Sequence, residues 1–261
     1  MSEPVLSEVR DRIATITLHR PEARNALSRA LMRSLTSAMA RAEADDAVDV
    51  IVLTGTDPAF SAGVDLKELG TGKVEESVLA PLADPDTPMR PWAPTTKPVI
   101  GAINGVAITG ALEVALQCDF LVASERARFA DTHSRVGVMP GWGLSQKLSR
   151  TIGIYRAKQL SLTGNYLDAA TAERWGLVNM VVPANELLTH AARLAADIVT
   201  VPTDMALAYK KLIDDGYGMT FAAGMVLEDE RSTAHAATQD PEAIEARRRG
   251  VLERGRAQKA D

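Results

Sequence analysis

Two stretches of this chain put small residues where a β-prone run gives way to a helix-prone one. The first is Phe60-Ser61-Ala62-Gly63-Val64-Asp65-Leu66 and the second is Asn104-Gly105-Val106-Ala107-Ile108-Thr109-Gly110-Ala111-Leu112-Glu113. The first turn of a helix carries backbone N–H groups without intrahelical acceptors, and residues as small as Ala62, Gly63 and Gly110 let a ligand oxygen approach them closely. The second stretch adds the Glu113 carboxylate about one turn into its helix, in reach of whatever those amides hold. Either stretch alone reads as an ordinary strand-to-helix connection. Together, in the same order, they form a candidate site of paired backbone donors beside a carboxylate.

The elements that must position these residues are legible from periodicity. Val5 to Arg10 and Ile13 to Leu18 are β-prone runs flanking Asp11-Arg12, an opening hairpin. Ser28 caps a predicted helix over Arg29 to Ala44, where Leu31, Leu35, Ala38, Met39 and Ala42 recur at helical spacing. Val48 to Thr54 and Pro98 to Asn104 are apolar on both faces, as strands buried within a sheet are. A helix portion over Glu113 to Gln117 and a strand over Phe120 to Ala123 follow the second. Strands alternating with helices predict an α/β core with parallel strands. Between the units, Gly70 to Thr96 is proline-rich and weakly periodic, a long excursion over the site. From Asp168, a helix cap, to Gly176, its stop, the pattern turns helical. A brief strand over Leu177 to Val182 follows, then helices near Glu186 to Thr200, Asp204 to Asp214, Phe221 to Ala237 and Pro241 to Arg254.

Composition narrows the function. With 261 residues, 46% of them hydrophobic, the chain can bury a substantial core. A net charge of -5 provides no overall basic field for nucleic acid or an anionic membrane, and aromatic residues, at 4%, provide no stacking platform. The richest apolar segment, Pro98 to Val122, is interrupted by Asn104, Glu113 and Asp119, so no membrane span is expected. One cysteine, Cys118, excludes an intrachain disulfide and suits a reducing, cytoplasmic setting. His19, His190 and His235 lack spaced partner ligands, and Gly141-Trp142-Gly143 lacks the third glycine of a dinucleotide fingerprint. Neither a metal nor a redox cofactor is expected.

The two stretches resemble the paired motifs of the crotonase (enoyl-CoA hydratase/isomerase) superfamily: Ala/Ser-Gly-x-Asp-Leu, then Asn-Gly-x-Ala-x-x-Gly-x-x-Glu, with Cys118-Asp119 a few residues on. The likeness begins at Arg20-Pro21 and Arg24-Asn25-Ala26-Leu27. It continues through Phe129 to Gly137, Met139-Pro140-Gly141, Gln146 to Arg150, Leu162-Thr163-Gly164 and Ala172 to Val182. It implies a spiral of repeated ββα units closed by a C-terminal helical region, divided here into a core over 1–200 and helices over 201–261, and assembly as a homotrimer or homohexamer.

For the site, the resemblance implies that Ala62 and Gly110 supply the oxyanion-hole N–H groups and that Glu113 is one of the hydratase's two catalytic glutamates. Arg24, Ala26, Gly63, Asp65 and Leu66 fall on its substrate-binding segments, and Arg20 joins Arg24 as a candidate for the CoA phosphates. The chemistry needs such a hole. Water adding to the β-carbon of an enoyl thioester pushes negative charge onto the carbonyl oxygen, and each aimed amide lowers that barrier by about 3–4 kcal/mol. CoA then arrives as part of the substrate, not as a cofactor.

The second hydratase glutamate is absent, and its position falls on His133 in Ala130-Asp131-Thr132-His133-Ser134. A histidine can still deliver a proton to the α-carbon. Asp131, two residues earlier, is expected on the opposite face of an extended segment, with at most a supporting role. The leading expectation is therefore hydration of a 2-enoyl-CoA. Isomerisation, thioester hydrolysis and acyl-CoA binding without catalysis remain as alternatives.

Overall fold

The computed structural model describes residues 3–69 and 91–257. Strand β1 (Val5–Arg10) pairs antiparallel with β2 (Ile13–Leu18), as the hairpin reading expects, and helix α1 (Arg29–Ala44) follows. The Ser28 hydroxyl caps α1 by accepting the Leu31 N–H at 3.2 Å, and Leu31, Met32, Leu35, Ala38, Met39 and Ala42 form its buried stripe.

Three successive turns of chain then repeat one plan. The first is β3 (Val50–Gly55), β4 (Ala59–Ser61) and α2 (Leu66–Leu69); the second is β5 (Val99–Ile103), β6 (Val106–Ile108) and α3 (Gly110–Ala115); the third is β7 (Phe120–Ser124), β8 (Arg128–Ala130) and α4 (His133–Val136). The long strand of each turn enters a six-stranded sheet of order β1-β2-β3-β5-β7-β10, parallel from β2 onward. The short strand enters a second sheet of order β4-β6-β8-β9, parallel from β4 to β8. Because β4, β6 and β8 run parallel, with one irregularity between Ala59 and Ser61, their carboxyl ends lie side by side. Each then feeds a helix start at the same edge, where ligands of parallel sheets gather.

The chain continues through α5 (Leu144–Ile152), α6 (Ile154–Thr163), β9 (Leu167–Asp168), α7 (Ala169–Trp175), β10 (Met180–Val182) and α8 (Leu187–Val199). Asp168 caps α7 and left-handed Gly176 ends it, both as predicted. Helices α9 (Thr203–Tyr217), α10 (Phe221–Ala236) and α11 (Pro241–Ala257) complete the chain. Two compact units are present, Met1–Leu207 and Ala208–Asp261.

The observed elements depart from the sequence reading in specific places. Strand β10 is half as long as the predicted Leu177–Val182 strand, since Leu177 and Val178 are buried as loop residues. Helix α3 begins at Gly110, three residues before the predicted helix portion over Glu113 to Gln117, so Glu113 stands about one turn in, where the sequence reading put its carboxylate. The second sheet was not foreseen as a sheet, because its strands of two or three residues are too short for any periodicity to show. Of the excursion expected over Gly70 to Thr96, positions 70–90 lie outside the described residues. Its end is anchored: Thr36 donates to the Pro91 carbonyl, and the Thr96 N–H and hydroxyl donate to Glu43, at 2.7–2.9 Å.

Candidate active site

The carboxyl ends of β4, β6 and β8 deliver Val64, Gly110 and His133 to one place. A cavity of about 270 Å³ opens there, lined by Ala62, Val64, Glu113, His133 and Trp142 together with the apolar side chains of Leu66, Ile108, Val136, Val138 and Met139. A second, shallower depression shares Ala62, Val64 and Leu66 with it and adds Arg20, Ala26, Asp65 and Lys67. The shared residues make the two continuous.

The first loop is held by the segment before α1. Asn25 is fully buried in the left-handed region (φ 54°), a conformation asparagine tolerates better than most residues. Its Nδ2 donates to the Thr56 and Ala59 carbonyls at 2.7 Å each, and its Oδ1 accepts the Arg20 N–H at 2.8 Å. So pinned, residues 24–27 pair with the loop: Ala62 N–H donates to the Arg24 carbonyl at 3.0 Å, Leu27 N–H to Gly63 at 2.8 Å, and Asp65 N–H to Leu27 at 3.2 Å.

This pairing corrects the sequence reading of Ala62. Its side chain lines the cavity, but its N–H is already committed to Arg24 and is no free donor. The unaccepted amide lies two residues on: the Val64 N–H meets no acceptor among the described residues. Gly63 makes that displacement possible. Its φ is +89°, and a Cβ there would sit 2.6 Å from the Ile108 carbonyl oxygen, so only glycine fits.

The second loop presents Gly110, whose N–H likewise has no acceptor among the described residues. Thr109 sets its direction. The ψ angle of a residue rotates the peptide unit that carries the next N–H, and Thr109 is held at φ 56°, ψ −109°, unusual for a β-branched residue. Strain of this kind costs on the order of 1–3 kcal/mol and persists only when the surroundings impose it. Here Thr109 N–H donates to Ala130 at 2.8 Å, and its hydroxyl bonds both the Thr132 hydroxyl (2.5 Å) and the Thr132 N–H (3.0 Å). Val64 and Gly110 are in contact range: a Cβ built on Gly110 would lie 3.1 Å from Val64 Cγ2.

Glu113 is 3% exposed. Its Oε1 accepts the Trp142 N–H at 2.7 Å and the Leu144 N–H at 3.3 Å, which leaves Oε2 toward the cavity. The Gly141-Trp142-Gly143 segment, set aside on the sequence as no nucleotide motif, is thus the clamp that orients Glu113. Gln117 reinforces it by donating to the Trp142 carbonyl at 2.7 Å.

His133 Nε2 lies 3.5 Å from Glu113 Oε2, and its Nδ1 lies 2.7 Å from Asp131 Oδ1. Asp131 therefore does not stand on the opposite face. The segment is not extended: Thr132 adopts φ −102°, ψ 11° at the start of α4, which folds the Asp131 carboxylate back onto both the ring and the backbone N–H of His133. Burial opposes a charge on His133, but hydrogen bonds to Asp131 and then Glu113 outweigh it, and its pKa is pushed up to about 9. Burial likewise works against the Asp131 carboxylate, yet bonds from His133 and the Ser161 hydroxyl hold its pKa below the ordinary range.

The remaining predicted residues divide. Leu66 lines both hollows, while Ala26 and Asp65 line only the shallow one, where Asp65 Oδ2 and the Ala26 carbonyl take up Arg20 Nη1 at 3.2 and 2.8 Å. Arg24 has an exposed side chain outside both and contributes its carbonyl to the loop.

Comparison with known proteins identifies the family. Residues 8–258 match the family model described as enoyl-CoA hydratase/isomerase. A probable peroxisomal enoyl-CoA hydratase of Arabidopsis thaliana is 43% identical over 225 residues, 85% of this chain and 83% of the relative. A crystal structure of an enoyl-CoA hydratase from Mycobacterium paratuberculosis shares 47% identity and a TM-score of 0.73 over 90% of this chain and 100% of that one. A probable enoyl-CoA hydratase/isomerase from Mycobacterium abscessus is 33% identical with a TM-score of 0.82, covering 95% and 96%. By sequence and by fold, the chain belongs to the enoyl-CoA hydratase/isomerase family.

Proposed function

We propose that this protein hydrates 2-enoyl-CoA thioesters to 3-hydroxyacyl-CoA, with the thioester oxygen held by the Val64 and Gly110 N–H groups. The observation that carries this reading is the pair of unaccepted amides, from two loops in contact, beside a buried carboxylate whose one oxygen is clamped and whose other faces the cavity. The two N–H groups stabilise the negative charge that grows on the thioester oxygen as water attacks, in a site walled largely by apolar side chains. Glu113 Oε2 takes a proton from that water, and His133, 3.5 Å from that oxygen, gives a proton to the α-carbon. The reaction needs no cofactor beyond the CoA carried by the substrate.

The apolar lining suits a hydrocarbon acyl chain, since among the described residues only Glu113 and His133 bring charge to the cavity. The adjoining depression with Arg20 and Lys67 suits the polar CoA moiety. We expect a homotrimer or a pair of trimers, in keeping with the large apolar side chains exposed on the second unit, among them Tyr217, Phe221 and Val226.

The test is a panel of acyl-CoA esters followed by product mass. Enoyl esters should gain one water. Release of free CoA with the free acid would mark thioester hydrolysis, and unchanged mass with a moved double bond would mark isomerisation; either, with no hydrated CoA ester formed, contradicts the proposal.

A further inference from the structure

Both ring nitrogens of His133 face carboxylates: Nδ1 is 2.7 Å from Asp131 Oδ1, and Nε2 is 3.5 Å from Glu113 Oε2. An ionised carboxylate only accepts hydrogen bonds, and a neutral imidazole has one N–H to give. With both carboxylates ionised, only the doubly protonated ring offers an N–H to each. The three groups are 2–6% exposed, so solvent is a poor substitute for either partner. Among the described residues, the titratable groups facing the ring are Glu113 from α3 and Asp131 from the β8–α4 connection, and from α6 the Ser161 hydroxyl supports Asp131.

We propose that Asp131 is a positioning residue that keeps His133 doubly protonated with its Nε2–H toward Glu113, making the imidazolium the α-carbon proton donor and Glu113 the group that recharges it. This rests on the hydratase reading. The steps balance. Glu113 Oε2 takes one proton from water as the water oxygen bonds to the β-carbon and the C=C electrons move to the enolate. The enolate collapses onto the α-carbon as that carbon takes the proton from His133 Nε2. Glu113 now carries one extra proton and His133 lacks one, and transfer across the gap between them restores both. One water has been added and nothing else consumed.

The arrangement bears on the choice of reaction. A doubly protonated ring has no lone pair with which to remove a proton, so this residue favours hydration over migration of the double bond, which requires a base.

Two measurements test this on the full chain. In the first, ¹⁵N NMR of the wild-type protein labelled at histidine should show both His133 ring nitrogens protonated at pH 7.5. In the second, the pH profile of kcat with crotonyl-CoA is compared for wild type and Asp131→Asn. The wild-type alkaline limb should fall near pH 9, and that of Asp131→Asn should move at least one pH unit toward neutrality, with KM within twofold and most of kcat recovered at pH 6. A merely structural role predicts no recovery at low pH. A neutral His133 ring at pH 7.5 in an enzyme that hydrates crotonyl-CoA, or an unmoved limb in the variant, would overturn this inference alone. A wild-type protein that adds no water to crotonyl-CoA would remove the hydratase reading and the donor role with it, and the NMR result separates the two failures.

Discussion

Glu113 is the residue whose removal should cost the most activity for the least structure. Gln at this position keeps the shape and keeps an acceptor oxygen for the Trp142 and Leu144 N–H groups, but it cannot take a proton. Glu113→Gln should fold normally and lose roughly 10²–10⁴ in kcat, the usual worth of a positioned acid or base, with KM little changed. Steady-state kinetics with crotonyl-CoA checks this, and a rise in KM with kcat intact would assign Glu113 to binding. At this level the sequence was informative but not complete. Glu113 and His133 line the cavity, and Gly110 stands beside Val64 at its edge. Among the described residues the amide left without an acceptor in the first loop is that of Val64 rather than Ala62, because the Arg24 carbonyl that consumes the Ala62 N–H comes from a distant segment whose approach no local pattern announces. Asp131 was placed on the wrong face for a related reason: alternation holds only for an extended chain, and Thr132, bent to φ −102°, ψ 11°, reverses it.

The short strands and their loops owe their placement to a few buried groups. Asn25 is the clearest, a buried side chain that satisfies two carbonyls and one N–H and so fastens residues 24–27 against the Val64 loop. Asn25→Ala should destabilise the protein by about 2–4 kcal/mol, because it leaves buried backbone groups unpaired and keeps the unfavourable backbone conformation. Activity should fall beyond what the unfolded fraction explains, as the loop loosens. Urea unfolding followed by circular dichroism, paired with kinetics, measures both; a loss below about 0.5 kcal/mol, the range of an ordinary surface substitution, would show that the segment is held by other contacts. Long elements were legible because burial writes a period into them: α1 with its Ser28 cap and the doubly apolar β3 and β5 stand close to where the sequence put them. The second sheet has no such period, and only the repeat of strand, turn and helix hinted at it.

For the whole molecule, the buried His133 ties stability to pH. Its pKa rises from about 6.5 unfolded to about 9 folded, so its contribution is fully present below 6.5 and is lost as pH rises through 9. Asp131, held below its ordinary value, acts in the opposite sense at the acid end: its contribution is present above the unfolded carboxylate value near 3.8 and lost as pH falls through the lower folded one. Urea midpoints should therefore decline between pH 6.5 and 9 in the wild type, and His133→Gln should flatten that decline; equal slopes would mean the ring is not charged in the folded protein. The three final helices were visible in outline, since helix period and caps survive in isolation, whereas the convergence of three loops on one cavity depends on how the short strands pair. The most direct measurement is a crystal structure with a saturated acyl-CoA, which cannot be hydrated. The thioester oxygen should lie about 2.7–3.1 Å from both the Val64 and Gly110 nitrogens. An oxygen bound elsewhere, or held by only one of the two amides, would contradict the proposed catalyst.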